Sequence, residues 1–156
     1  ANAVRSGKRR VIAVAPPGYG KTTLFSAIVA SAVAKGNRVV IAIHKAELVY
    51  NAVDRLKSQF GVDAGIIMAG HPVEKRKLVQ VGSIQTMIRR DLSWLNPDLY
   101  MVDEGHRLLT GSHLKMYNEW VCPENSERSI PMIIWTATPV RTDRKRKFED
   151  YCDDLI

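Results

Sequence analysis

The segment Ala15–Thr22, APPGYGKT, constrains this chain more than any other stretch. It joins a solid apolar run, Val11–Ala15 (VIAVA), to a helical stretch, Lys21–Ala34, rich in Ala and Val. Gly18 and Gly20 free the backbone to turn so that successive N–H groups face inward. A helix starting near Lys21 adds the positive end of its dipole to that cradle. The phosphate-binding pattern G-x-x-x-x-G-K-[ST] needs this strand–loop–helix setting. Gly20-Lys21-Thr22 fits it, and Ala15 stands in for the first Gly. Pro17, Gly18, Tyr19, Gly20, Lys21, Thr22 and Thr23 are therefore the expected phosphate-binding set. Lys21 is expected to reach the β- and γ-phosphates of a nucleotide, and the Thr22 hydroxyl to ligate Mg²⁺.

The rest of the chain repeats the switch between short solid runs and longer helical stretches. Val39–Ile43, Leu99–Val102 and Met132–Trp135 read as strands buried on both faces, with weaker runs at Gly65–Ala69 and Leu78–Val81. Ala46–Phe60 sets Leu48, Val49, Ala52, Val53, Leu56 and Phe60 on one side at 3–4 spacing. Ser112–Val121 and the short Ser83–Arg90 are further helix candidates. Strand alternating with helix implies right-handed crossovers, hence an α/β fold: a three-layer sandwich around a mainly parallel sheet. With 156 residues, one domain is expected, burying roughly 70% of its unfolded surface. The composition, 46% hydrophobic and 25% charged, argues against overall disorder.

A second chemical signal sits at Leu99–His106, LYMVDEGH. Open α/β sheets place ligands beyond the carboxyl ends of their strands, where this run delivers two carboxylates. Asp103 is expected to hold the Mg²⁺ that Thr22 also touches, and Glu104 to orient and deprotonate an attacking water. Lys21 and Asp103 are 82 positions apart, so only the fold can bring them together.

APPGYGKT, then VDEGH, then Thr136–Pro139 as TATP, resembles in order and spacing the first RecA-like lobe of superfamily 2 helicases and translocases. Many members carry Ala at the first loop position, as at Ala15. VDEGH resembles their DEAH and DECH boxes, with Gly105 a departure in the third slot. Val40–Leu48 (VIAIHKAEL) sits where motif Ia does, and Val81–Thr86 (VGSIQT) resembles a segment that touches the nucleic-acid backbone. TATPVR followed by a basic loop and FEDYCDDL is similar to RadD-type bacterial helicases, phage helicases and restriction translocase subunits. The resemblance implies ATP and Mg²⁺ as cofactors, with His106, Thr136 and Thr138 coupling hydrolysis to strand movement. It also implies a second RecA-like lobe in the same polypeptide. Only one phosphate loop is present here, so residues 1–156 are expected to be a single ATP-binding lobe, weakly active alone. The family's adenine-reading Gln normally precedes the phosphate loop; no Gln precedes Gln59, so that residue is expected upstream of this sequence.

The charge balance, 23 Lys and Arg against 16 Asp and Glu for a net +7, favours a polyanionic partner, although solubility explains it equally. His44, Lys45, Ser83, Gln85, Thr86 and Arg141 follow strands and are the candidate phosphate-backbone contacts. Lys75-Arg76-Lys77 and Arg89-Arg90 read as a solvated face that would otherwise widen a basic track. Trp94 reads as core or lobe interface, with base stacking the alternative. DNA rather than RNA is expected by analogy. Alternatives are a duplex-DNA translocase that does not unwind, another phosphate-loop ATPase or nucleotide kinase, and an ATP-gated scaffold. No run nears the ~20 apolar residues of a membrane span. Cys122 and Cys152 form no C-x-x-C pair, so free thiols in a cytoplasmic protein are expected.

Overall fold

Solid apolar runs become strands because β-branched side chains can pack on both faces of a pleat. In the computed structural model these runs are β1 (Arg10–Val14), β2 (Val39–Ile43), β3 (Ala64–Ile67), β4 (Val79–Ser83), β5 (Leu99–Val102) and β6 (Met132–Thr136). A two-residue β7 (Asp154–Leu155) completes the set. The structure describes residues 10–14, 21–103, 115–121, 129–136 and 154–155, with backbone alone for 21, 22, 154 and 155. Helices α1 (Lys21–Ala34), α2 (Glu47–Phe60) and α3 (Ile84–Met87) lie between strands, and a π-helical turn spans Tyr117–Val121. Ser112–Val121 was expected as α-helix; over 117–121 it is π-helical, and 112–114 lie outside the described residues.

The seven strands form one sheet in the order β3-β4-β2-β5-β6-β1-β7. Every neighbouring pair is parallel. Right-handed crossovers then sort the connections by direction of travel. Those from β1 to β2 and from β2 to β3 move one way along the sheet, and their helices α1 and α2 share one face. The β4–β5 connection and the described part of the β5–β6 connection, residues 115–121, cover the opposite face.

The core divides accordingly. Val39, Ile41, Ile43, Leu99, Met101, Ile133 and Trp135 pack against Phe25 and Val29 of α1 and Val49 and Leu56 of α2. Val40, Ala42, Tyr100, Val102 and Ile134 pack against Ile84, Met87, Leu92, Leu95, Tyr117 and Trp120. This alternation is the period-2 rule of a strand buried on both sides.

Both long helices stop at a glycine in the left-handed region. At α1, Gly36 (φ 77°) lets its own N–H reach Val33 O at 2.8 Å and the Asn37 N–H reach Ala32 O at 3.1 Å. Gly61 (φ 65°) closes α2, with its N–H on Lys57 O at 3.0 Å. Glycine adopts that conformation without the Cβ penalty, so the chain turns into the next strand.

Candidate nucleotide and nucleic-acid site

An all-parallel sheet sends every strand's carboxyl end to one edge, and most of the described candidate residues lie there. The register aligns Val14 of β1 with Thr136 of β6, and Ile134 of β6 with Val102 of β5. Asp103, the residue after β5, thus lies level with Trp135 and Ala13, one step short of Thr136. Its N–H donates to Ala42 O at 3.0 Å, so pairing with β2 runs through it. It has the strand parity of Leu99 and Met101, whose face carries α1. Strands β1 and β5 are separated only by β6, so their axes are about 10 Å apart at ~4.8 Å per spacing.

Helix α1 begins at Lys21, seven residues after Val14 ends β1. It has no acidic residue in its first turn, so the helix itself supplies no carboxylate to offset the positive end of its dipole. Thr23 is exposed there. The helix is anchored from below by Phe25, whose ring meets Trp135 edge-on at 6.0 Å. The start of α1 is thereby tied to the strand that ends in Thr136. Pro17, Gly18, Tyr19, Gly20, Glu104, His106, Thr138 and Arg141 lie outside the described residues, as do the side chains of Lys21 and Thr22.

The candidate nucleic-acid contacts divide into accessible and inaccessible ones. His44 is half-buried and Lys45 exposed just past β2; Gln85 is exposed and Thr86 half-buried on α3. Ser83 ends β4 and is buried. Its hydroxyl donates to Thr86 Oγ1 at 2.9 Å and accepts from the Thr86 N–H at 3.4 Å, so Ser83 is the N-cap of α3. Gly82 before it allows α3 to lie close on the sheet. A Cβ there would come within 2.8 Å of Met87 Sδ and 2.9 Å of Ile67 Cβ.

Sequence reasoning missed the network holding the β3–β4 connection. Gln80, buried in β4, donates from Nε2 to Glu74 O at 2.7 Å and Lys77 O at 3.1 Å. Arg38 donates to Lys75 O at 3.1 Å. Lys77 pairs with Glu74 at 2.9 Å and Asp63 at 3.2 Å, and its hydrogen bond to Glu74 raises its pKa. A polar residue inside the apolar run LVQVGS was the available signal, since a buried amide demands partners.

The all-parallel sheet and the comparisons with known proteins together define a class: a RecA-like lobe of the superfamily 2 helicase type. The chain belongs to the family described as type III restriction enzyme, res subunit (ResIII), which matches residues 1–141. It is 31% identical over 142 residues to a 51.5 kDa protein of Lactococcus phage (isolate 7-9), covering 90% of this chain and 26% of that protein. It is 29% identical over 157 residues to IRC3 of Saccharomyces cerevisiae, named as a candidate ATP-dependent helicase, covering 92% and 22%. The chain thus spans about a quarter of the length of these relatives. Among solved structures, the Pyrococcus furiosus Hef helicase domain superposes with TM-score 0.71 at 19% identity, over 92% of this chain and 33% of that one. The type ISP restriction-modification enzyme LlaGI, solved as a nuclease-deletion mutant with a DNA substrate mimic, gives 0.67 at 16% identity, over 98% and 18%. Among the described residues no helix is long and apolar enough to cross a membrane.

Proposed function

We propose that this lobe binds and hydrolyses Mg²⁺-ATP to drive a nucleic-acid motor, with DNA as the track. The observation that carries the reading is the arrival of β1, which leads into α1, and β5, which leads into Asp103, at one sheet edge, two strand spacings apart. One bound triphosphate reaches across that width. The family match and the helicase and restriction-enzyme relatives support the same reading, and LlaGI was solved with a DNA mimic.

In this reading Pro17, Gly18, Tyr19, Gly20 and Thr23 cradle the phosphates and Lys21 pairs with their outer oxygens. The Thr22 hydroxyl and the Asp103 carboxylate would hold Mg²⁺, an oxygen pair suited to a hard cation, which neutralises charge on the β- and γ-phosphates when bound. Glu104 takes the proton of the attacking water. His106, Thr136 and Thr138 pass the nucleotide state to the track. His44, Lys45, Gln85, Thr86 and Arg141 hold the phosphate backbone without reading bases. Ser83 serves by capping α3 and so presenting Gln85 and Thr86. A second RecA-like lobe of the same polypeptide completes the ATP cleft in the cytoplasm. The res-subunit family and the LlaGI likeness favour a second version, translocation along duplex DNA without unwinding.

The test is nucleotide binding by the chain, followed by calorimetry. Lys21→Ala is expected to weaken ATP about 10- to 100-fold, the worth of one charge-assisted hydrogen bond. Asp103→Asn is expected to abolish the Mg²⁺ dependence of binding, whereas Glu104→Gln keeps wild-type affinity. Unchanged ATP affinity in Lys21→Ala would overturn the reading.

A further inference from the structure

Trp94 is half-buried, unlike Trp120 and Trp135, which are in the core. It flanks a cavity of about 380 Å³ on the sheet face opposite α1 and α2, between the β3–β4 and α3–β5 connections. Val73, Lys75, Arg90 and Asp91 line the same cavity. Val73 is an exposed apolar side chain, 42% accessible. The Lys75 ammonium lies 5.5 Å from the centre of the Trp94 ring.

The walls are held in place before any ligand arrives. Gln80 and Arg38 clamp the carbonyls of Glu74, Lys75 and Lys77. Arg90 Nη2 donates to Met68 O at 2.8 Å, at the carboxyl end of β3. The Ser93 N–H donates to Asp91 Oδ1 at 3.0 Å, and the Leu95 N–H to Leu92 O at 2.9 Å, which fixes the turn carrying Trp94. The bond from Ser93 also holds the Asp91 carboxyl below its ordinary range, with Lys75 and Lys115 adding to the effect.

We propose that this cavity accepts a base of a single-stranded nucleic acid, stacked on Trp94, with the flanking phosphates on Lys75 and Arg90. The proposal rests on the nucleic-acid reading of the lobe and extends its track. The path leaves the carboxyl edge at Gln85 and Thr86 and passes Arg90, three residues beyond α3, before reaching Trp94. A base stacked on indole is bound more firmly than an exposed ammonium over the same ring, so the base takes the ring face and Lys75 turns to a phosphate. Asp91 sets the direction. Its charge repels a phosphate and accepts from an exocyclic amine, so the base end enters and the backbone stays at the cations.

The experiment titrates the full chain with a single-stranded oligonucleotide and with a wholly abasic strand of equal length. Trp94 is the half-exposed indole of the three, so acrylamide-quenchable emission reports it. The base-bearing strand is expected to shield that emission and the abasic strand to leave it unchanged. Trp94→Leu is expected to weaken the base-bearing strand about tenfold and to bind the abasic strand as wild type does. Trp94→Phe retains most of the affinity, which excludes misfolding as the cause. If Trp94→Leu binds both strands like wild type while Lys45→Gln weakens both, the pocket is wrong and the nucleic-acid reading stands. If wild type binds neither strand, both fall.

Discussion

The two faces of the sheet are built by different means. On one, two 14-residue helices, α1 and α2, cover the strands with regular side-chain packing. On the other, a four-residue helix, a π-helical turn and irregular chain do the same work. The regular face relies on buried volume, as in the Phe25–Trp135 contact. The irregular face relies on close approach and particular partners: the bare Gly82 under Met87, the Ser83 cap, and the Arg10 guanidinium on the Tyr117 hydroxyl at 2.9 Å. Volume tolerates change in proportion to what is removed, whereas close approach fails at a single added atom. The nucleotide-side helix sits on the tolerant face and the Trp94 cavity on the exacting one.

The largest expected effect falls on the regular face. Trp135→Ala empties a fully buried site beneath α1 and should cost about 3–5 kcal/mol in denaturant unfolding. A loss below about 1 kcal/mol would mean that the helix does not depend on that ring. On the irregular face, Gly82→Ala should cost about 1–3 kcal/mol, because Ile67 Cβ belongs to a rigid side chain and cannot move aside. A neutral outcome there would erase the distinction between the faces.

The smallest effect sharpens the comparison. The Tyr100 hydroxyl is buried with no hydrogen-bond partner among the described residues, and its ring meets Trp120 edge-on at 5.4 Å. Tyr100→Phe keeps that ring contact and removes the orphaned group, so stability near neutral pH should be unchanged or higher by under about 1 kcal/mol. Burial raises the Tyr100 pKa above its ordinary value. The neutral phenol therefore contributes fully below the unfolded pKa of about 10, and that contribution is lost as pH rises beyond it. Unfolding measured across pH 9–12, about one unit either side of that pKa and beyond, should show wild type losing stability more steeply than Tyr100→Phe.

Legibility in the sequence followed the same divide. Helix α1 has the bounds read from composition, Lys21–Ala34, and α2 differs by one residue, because apolar periodicity and a closing glycine are local signals. Leu99–Val102 was also legible residue for residue. The irregular face was legible only in part: the short helix read at Ser83–Arg90 is α3, Ile84–Met87. Ser83, read as a phosphate contact, is a buried cap, and that depends on where α3 folds back. The two-residue β7 was invisible, since Asp154 and Leu155 gain strand character only by pairing with β1. For the site, the phosphate-loop and carboxylate motifs were read as local patterns, and of them the structure describes Thr23, Asp103 and the backbone of Lys21 and Thr22. Trp94 was read as core or lobe interface, with base stacking the alternative, and it is half-buried, because exposure depends on what packs nearby.

The residue order alone determined the class of fold and the chemistry on offer, because hydrophobic period, glycine stops and loop motifs act over a few neighbouring residues. Tertiary structure alone decided which polar groups are accessible and which are consumed internally. The Ser83 hydroxyl and the Gln80 Nε2 are consumed by partners brought by the fold, whereas Lys45, Gln85 and the cavity beside Trp94 remain open to solvent. That division rests on burial, a property of the whole packed sheet that no local run of residues carries.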